Sequence, residues 1–362
     1  ARPARLYPQS SNQAQPFKHN QLSLKRFVYI TAAKDGGHCL GFTDNDWTFV
    51  WGETRQKGVL GLGKKPVSTL PYLLKPLRKQ KIIQVSCSSK HGIAVTAESK
   101  VFGWGSKQLT NLNEDTFEPT PLPFLNNLGV TSAICTSTHT CCWNMLSTDA
   151  YQFGMEGPWL GLNNKKRFGK IQFDPQISKN NDLQLSKIDG NGEFTLFLFS
   201  DGRVYGLGIN EHGRMGIGKR NSETNQPIMV PGMPPIGELS CGPFHCGFID
   251  NKGLIYTVGV GADYRLGHLN EETLYKAKLV ESMKDNKCVR IECVEDRTFI
   301  ITKYGCVVMW GVEPVTEMVH ATPYVYEYLR THRIYQVCGG KDHTIALGVQ
   351  AKDNVQKPII DV

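Results

Sequence analysis

The stretch GRMGIGKR, residues 213–220, spaces Gly213, Gly218 and Lys219 as a phosphate-binding loop does, and GVLGLGKK repeats the pattern with Gly58, Gly63 and Lys64. A working loop of that kind needs Ser or Thr after the lysine to hold Mg²⁺. It also needs a helix whose N-terminal amides face the phosphates. Arg220 and Lys65 occupy the Ser/Thr place, Pro66 follows Lys65, and NSETNQP follows Arg220. Neither copy leads into an apolar helical period. The residues argue against a nucleotide site and raise a different question, namely why one glycine pattern occurs twice.

Other candidate chemistry also falls away. The chain has 11 cysteines but no C-x-x-C pair and no N-x-S/T sequon. The odd count argues against a secreted disulfide framework. His38–Cys39, Cys141–Cys142 and His245–Cys246 are adjacent pairs, and neighbours on a strand point to opposite faces rather than to one metal. Thiol catalysis needs a Cys–His pair with an orienting group, and nothing singles one out. We therefore expect no enzyme activity, no cofactor, no metal and no small-molecule substrate. No apolar run approaches the ~18 residues of a membrane span, so the expectation is a soluble, intracellular protein. The formal net charge of +8 permits an acidic partner. The first acidic residue is Asp35, preceded by Arg2, Arg5, Lys18, Lys25, Arg26 and Lys34 among Ser, Gln and Pro. An acid-poor basic start of this kind suits a mitochondrial targeting region or its mature edge.

The elements that would carry any site repeat. An aromatic or aliphatic residue followed by glycine recurs at Gly52, Gly105, Gly154, Gly208, Gly259 and Gly311, spaced 53, 49, 54, 51 and 52 residues apart. Before each lies an apolar strand, a small residue, and four residues later a histidine or its substitute. QVSCSSKH gives Cys87 and His91, SAICTSTH gives Cys135 and His139, and ELSCGPFH gives Cys241 and His245. Gly190 with Phe194, Cys293 with Arg297 and Gly339 with His343 keep the spacing, and His38 opens a looser first copy. Turns such as SDGR and DNKG between the following strands are hairpin chemistry. Units of about 50 residues with several strands each predict propeller blades. The reading is an all-β, seven-bladed propeller of four-stranded blades over residues 25–350. Residues 1–24 are expected to form a basic, partly disordered tail, and 351–362 a tail or closing segment, with both chain ends pairing to close the ring. The two glycine patterns then sit at one station of their blades, as corner punctuation.

Basic residues recur at that station. Lys64 and Lys65, then Lys165, Lys166 and Arg167, then Lys219 and Arg220 follow the L-G motif of blades one, three and four. Equivalent stations share a rim, so these charges predict a basic rim for a phosphate-rich partner such as RNA.

The units at 83–105, 186–218, 238–267 and 335–347 carry the pattern best, and they resemble repeats of the regulator of chromosome condensation family over roughly residues 25–350. The resemblance implies a seven-bladed propeller. In the Ran exchange factor of that family, acids in the short loops before the histidine face the GTPase. Here Glu193, Asp296 and Asp342 stand at that position, Asp342 directly before His343, while Lys90, Thr138 and Phe244 replace the acid in other units. The stretch PYLLKPLRKQKI and the basic start are similar to the mitochondrial member of the family. That similarity implies a non-catalytic module for protein or RNA assembly beside the mitochondrial ribosome, with an assembly factor or RNA as partner. The alternative is a guanine-nucleotide exchange factor for a Ran-like small GTPase, nuclear or cytoplasmic, with Glu193, Asp296, Asp342 and His343 as contacts.

Overall fold

The computed structural model describes residues 26–350 except 66, 163–166, 179, 181, 219–221 and 315, together with Ala351 and Val355. The chain folds into six four-stranded antiparallel sheets followed by one two-stranded sheet. Blade one is Phe27–Ala32, Gly37–Thr43, Thr48–Glu53 and Val67–Leu73, and five further blades repeat this order. The seventh unit consists of His332–Gly339 paired with Thr344–Gln350. The expectation of seven four-stranded blades is therefore corrected to six. The seventh unit has the first two landmarks of the repeat but no aromatic–glycine strand after them, and no third or fourth strand exists among the described residues. The chain ends expected to complete it, before about residue 25 and after about 350, lie outside those residues, apart from Ala351 and Val355.

Every blade is apolar on both faces, so the core is a set of seams between sheets. Leu40, Val50 and Leu74 of the first blade pack on Val85, Ala94 and Trp104 of the second. The two-stranded unit fills the last gap. Its Ile334 and Val337 pack on Phe299 and Met309 of blade six, while Ile345 and Leu347 pack on Phe27, Ile30 and Trp51 of blade one.

The repeated histidine ties one blade to the next. Nε2 of His91 lies 2.7 Å from Thr140 Oγ1, that of His139 2.7 Å from Thr195 Oγ1, and that of His245 2.7 Å from Thr298 Oγ1. The threonine hydroxyls of 140 and 298 donate to the carbonyls of Leu109 and Arg265. The imidazole must then donate from Nε2, which fixes the neutral tautomer. In the seventh unit, His343 meets Cys39 Sγ at 2.9 Å, completing the circuit to blade one. For His38 the residue at the threonine's station, directly after the next unit's histidine, is Gly92, which has no hydroxyl, and both ring nitrogens of His38 lack a hydrogen bond.

The aromatic–glycine landmark makes these ties reachable. Gly208 pairs with Phe194 and Gly311 with Arg297. At both, φ is positive (111° and 92°), and a Cβ would fall 2.2 Å from a backbone carbonyl of the facing strand. Gly63 has φ +71° but open space around it. We expect Gly311→Ala to cost on the order of 2–3 kcal/mol, because strain and a backbone clash coincide, and Gly63→Ala about 1 kcal/mol from strain alone. Denaturant titration of both variants checks this, and equal losses would contradict the close-approach explanation.

Burial pushes the imidazoles of His38, His91, His139 and His245 down to about 3. An unfolded histidine titrates near 6.5. Between those values the unfolded chain binds protons that the folded chain refuses, so stability is full above pH 6.5 and falls as pH drops. Each site contributes a slope on the order of 1.4 kcal/mol per pH unit in that window. Melting temperatures measured from pH 7.5 to 4.5 should decline steeply below 6.5, and a flat profile would rule out neutral buried imidazoles.

Candidate interaction face

Antiparallel alternation puts two sets of loops at one end of the ring. These are the loops joining first to second strands and those joining third to fourth strands. Glu193, Asp296 and Asp342 lie in the first set, Lys64, Lys65 and Arg167 in the second, so the acidic and basic candidates share a face. Lys165, Lys166, Lys219 and Arg220 lie outside the described residues.

The three acids differ in what they offer. Asp342 is exposed. Asp296 accepts a bond from Arg297 Nη1 at 2.7 Å, and that buried guanidinium also donates to the Lys341 carbonyl at 3.2 Å. Glu193 is half-buried, and its carbonyl accepts the amide of Ile209 at 2.9 Å. His343 turns inward, with its ring over Gly340 and its Nε2 at Cys39. Burial, and then the Arg297 charge, hold it down to about 4. Of the basic candidates, Lys64, Lys65 and Arg167 are exposed, and Lys65 Nζ sits 5.0 Å from the Tyr72 ring centre.

The face is held stiffly by bonds between neighbouring loops. Asp35 accepts the amide of Ser89 at 2.7 Å and its hydroxyl at 2.6 Å. Thr138 Oγ1 donates to the Gly192 carbonyl at 2.5 Å. Arg214 donates to the Pro243 carbonyl at 2.9 Å, and Arg265 to the Glu295 carbonyl at 3.1 Å. The Lys341 amide donates to the Gly36 carbonyl at 3.2 Å.

The paired glycine patterns belong to this docking. Gly63 donates its amide to the Phe117 carbonyl and Gly218 to that of Tyr275, each at 2.9 Å. A Cβ on Gly58 would strike Phe117 at 2.2 Å, and one on Gly213 would strike Tyr275 at 2.4 Å. Both aromatics sit on the outer strand of the next blade, and no described residue between Gly58 and the strand Val67–Leu73 is helical.

Sequence reasoning missed the central channel. Alternate residues of the first strands line it, including Gln84, Ser86, Lys187, Asp189, Arg290 and Glu292, around a cavity of about 890 Å³. Lys34 crosses the channel from blade one. Its Nζ lies 2.7 Å from Asp189 Oδ2 and 2.7 Å from the Cys241 carbonyl. Burial opposes that charge, but Asp189 and Glu292 outweigh it and raise the lysine pKa. Burial alone would raise Asp189; Lys34 and Lys187 hold it below the usual carboxylate range. Glu292 moves the other way, raised chiefly by burial. Glu238 bridges Lys187 and Arg290 on the wall. The available signal was period two, with K-x-D, E-x-S and R-x-E polar alternation inside otherwise apolar strands.

Ten of the 11 cysteines are buried, and Cys135 is half-buried. Burial pushes thiols such as Cys87, Cys142 and Cys293 up, away from the nucleophilic thiolate. Among the described residues, no group of three His, Cys, Asp or Glu is placed to hold a metal ion. No helix there is long and apolar enough to cross a membrane.

Comparison with known proteins agrees with this architecture. The profile described as the regulator of chromosome condensation (RCC1) repeat matches residues 48–95 and 201–249. Human E3 ubiquitin-protein ligase HERC2 is 24% identical over 274 residues, 74% of this chain but 6% of HERC2. The chain thus spans a small part of that relative. RCC1 domain-containing protein RUG3, mitochondrial, from Arabidopsis thaliana is 24% identical over 334 residues, 85% of this chain and 74% of RUG3. Among solved structures, Prp20p from Saccharomyces cerevisiae superposes with a TM-score of 0.80 at 14% identity, covering 97% of this chain and 93% of Prp20p. That structure was described together with binding to Gsp1p and histones. Repeat profile, blade register and superposition together give this chain the fold of a propeller similar to those of the RCC1-repeat proteins.

Proposed function

We propose that this propeller is a non-catalytic assembly module that holds a protein or RNA partner on its loop face, acting beside the mitochondrial ribosome. The observation that carries the reading is the exposed pair Lys64–Lys65 on a face whose loops are clasped together around the ring. Exposed cations on a stiff frame bind phosphate with little ordering cost. The mitochondrial relative RUG3 supports the compartment. The basic residues at 165, 166, 219 and 220 follow the same motif in their units.

A second reading has one observation in its favour. Asp342 is exposed in the inner loops, where a small GTPase would meet it in an exchange factor of the Ran type. Asp296, already paired with Arg297, is the weaker contact.

The tagged protein, purified from its own cells at low salt, should carry ribosomal RNA or assembly factors. Replacing Lys64, Lys65, Lys219 and Arg220 with Glu should reduce RNA recovery at least tenfold, since each lost phosphate contact weakens binding and its salt dependence. Undiminished recovery by the variant would sink the scaffold reading. Recovery of a nucleotide-free GTPase, released by added GTP and lost with Asp342→Ala, would establish the second one instead.

A further inference from the structure

The opposite end of the ring carries a second pattern, unrelated to the loop face. In six of the seven units the first strand pairs with the second through a bulge that skips one residue. The skips fall between Phe27 and Tyr29, Ile82 and Gln84, Leu185 and Lys187, Ile236 and Glu238, Cys288 and Arg290, and Ile334 and Gln336. A skipped residue leaves the ladder, and its side chain is re-aimed. Four of these are apolar and exposed: Val28 at 45%, Ile83 at 41%, Val289 at 47% and Tyr335 at 49%. They occupy consecutive units of the ring, namely blade six, the two-stranded unit, blade one and blade two.

Each has an exposed cation two residues before it, in Arg26-x-Val28, Lys81-x-Ile83, Lys287-x-Val289 and Arg333-x-Tyr335. None of these four cations forms an ion pair among the described residues. The other three units break both halves of the pattern, reading Gly129-x-Thr131, Gln184-x-Ser186 and Pro235-x-Gly237. The arc borders the channel, because Arg26, Val28, Arg290 and Tyr335 line its cavity at this end. Lys34 spans the far end.

We propose that this half-ring of cation–apolar pairs is a docking site for a protein segment that presents carboxylates beside aliphatic side chains. The charges call for anions, and four apolar side chains held out of the ladder call for something to cover them. A single-stranded RNA would satisfy the cations alone. Three of the four apolar residues are aliphatic and offer no ring for a base to stack on. An acidic, leucine-bearing segment meets both halves at once. This site is independent of the Lys64–Lys65 face, so the two proposals stand or fall separately.

The test uses the full chain and three fluorescein-labelled probes of equal length: a mixed glutamate–leucine peptide, a glutamate-only peptide and an oligouridylate. The mixed peptide should bind at least tenfold more tightly than the other two. The triple variant Val28→Ser, Ile83→Ser, Val289→Ser should weaken it at least tenfold. These are exposed positions, and serine already stands at the equivalent Ser186, so the fold is preserved. Arg26→Gln with Lys81→Gln and Lys287→Gln should do the same, whereas Lys64→Glu with Lys65→Glu should leave binding unchanged. The proposal is overturned if the mixed peptide fails to bind. It is also overturned if the serine variant binds undiminished, or if the oligouridylate binds as well as the mixed peptide.

Discussion

A sheet with apolar side chains on both faces has no stable existence alone, and every blade here is such a sheet. The ring must close before any of its cores is dry. What aligns the seams is a short hydrogen bond from one blade's histidine to the next blade's hydroxyl, repeated at His91, His139 and His245. That bond sits beside a glycine whose missing Cβ lets two strands approach. The loops at one end inherit this order. Their own bonds, from Ser89 to Asp35 and from Arg265 to Glu295, only finish what the seams begin.

The substituted positions show how the circuit tolerates change. Arg297 replaces a histidine and reaches the carbonyls of Gly340 and Lys341 instead of a threonine. Phe194 replaces another and packs in the seam with Cys246. His343 turns to a thiol. His38 has nothing to bond, because Gly92 stands in the hydroxyl's place. The tie between the first and second blades therefore rests on the Leu40–Trp104 core, on the bond from Trp104 Nε1 to the Val59 carbonyl at 2.8 Å, and on the Asp35–Ser89 contact.

Much of this was legible in the sequence because it is local and repeated. The glycine spacing, the histidine station and the hairpin turns each recur with a period, and a period shows through substitution. The number of complete blades was not legible, because a unit with the small residue and the histidine but no aromatic–glycine reads as a truncated blade until the strands are counted. The Lys34–Asp189 pair was also hidden. Its partners are 155 residues apart, and only ring closure brings them across the axis. The acids of the inner loops were visible as residues, but not as groups with different freedom. Nothing in the string says that Asp296 is held by the arginine beside it while Asp342 stands free in solvent. The bulges were hidden too, since a skipped residue looks like any other strand residue until its partner is known.

The most direct measurement is hydrogen exchange on the chain alone and in the complex recovered from cells at low salt. A stiff ring presenting a binding face predicts protection on partner binding in the loops at 54–65, 155–162 and 340–343, with the inner strands exchanging equally slowly in both states. Loops that exchange identically with and without partner, or inner strands that become protected only in the complex, would contradict a preformed scaffold that binds through this face.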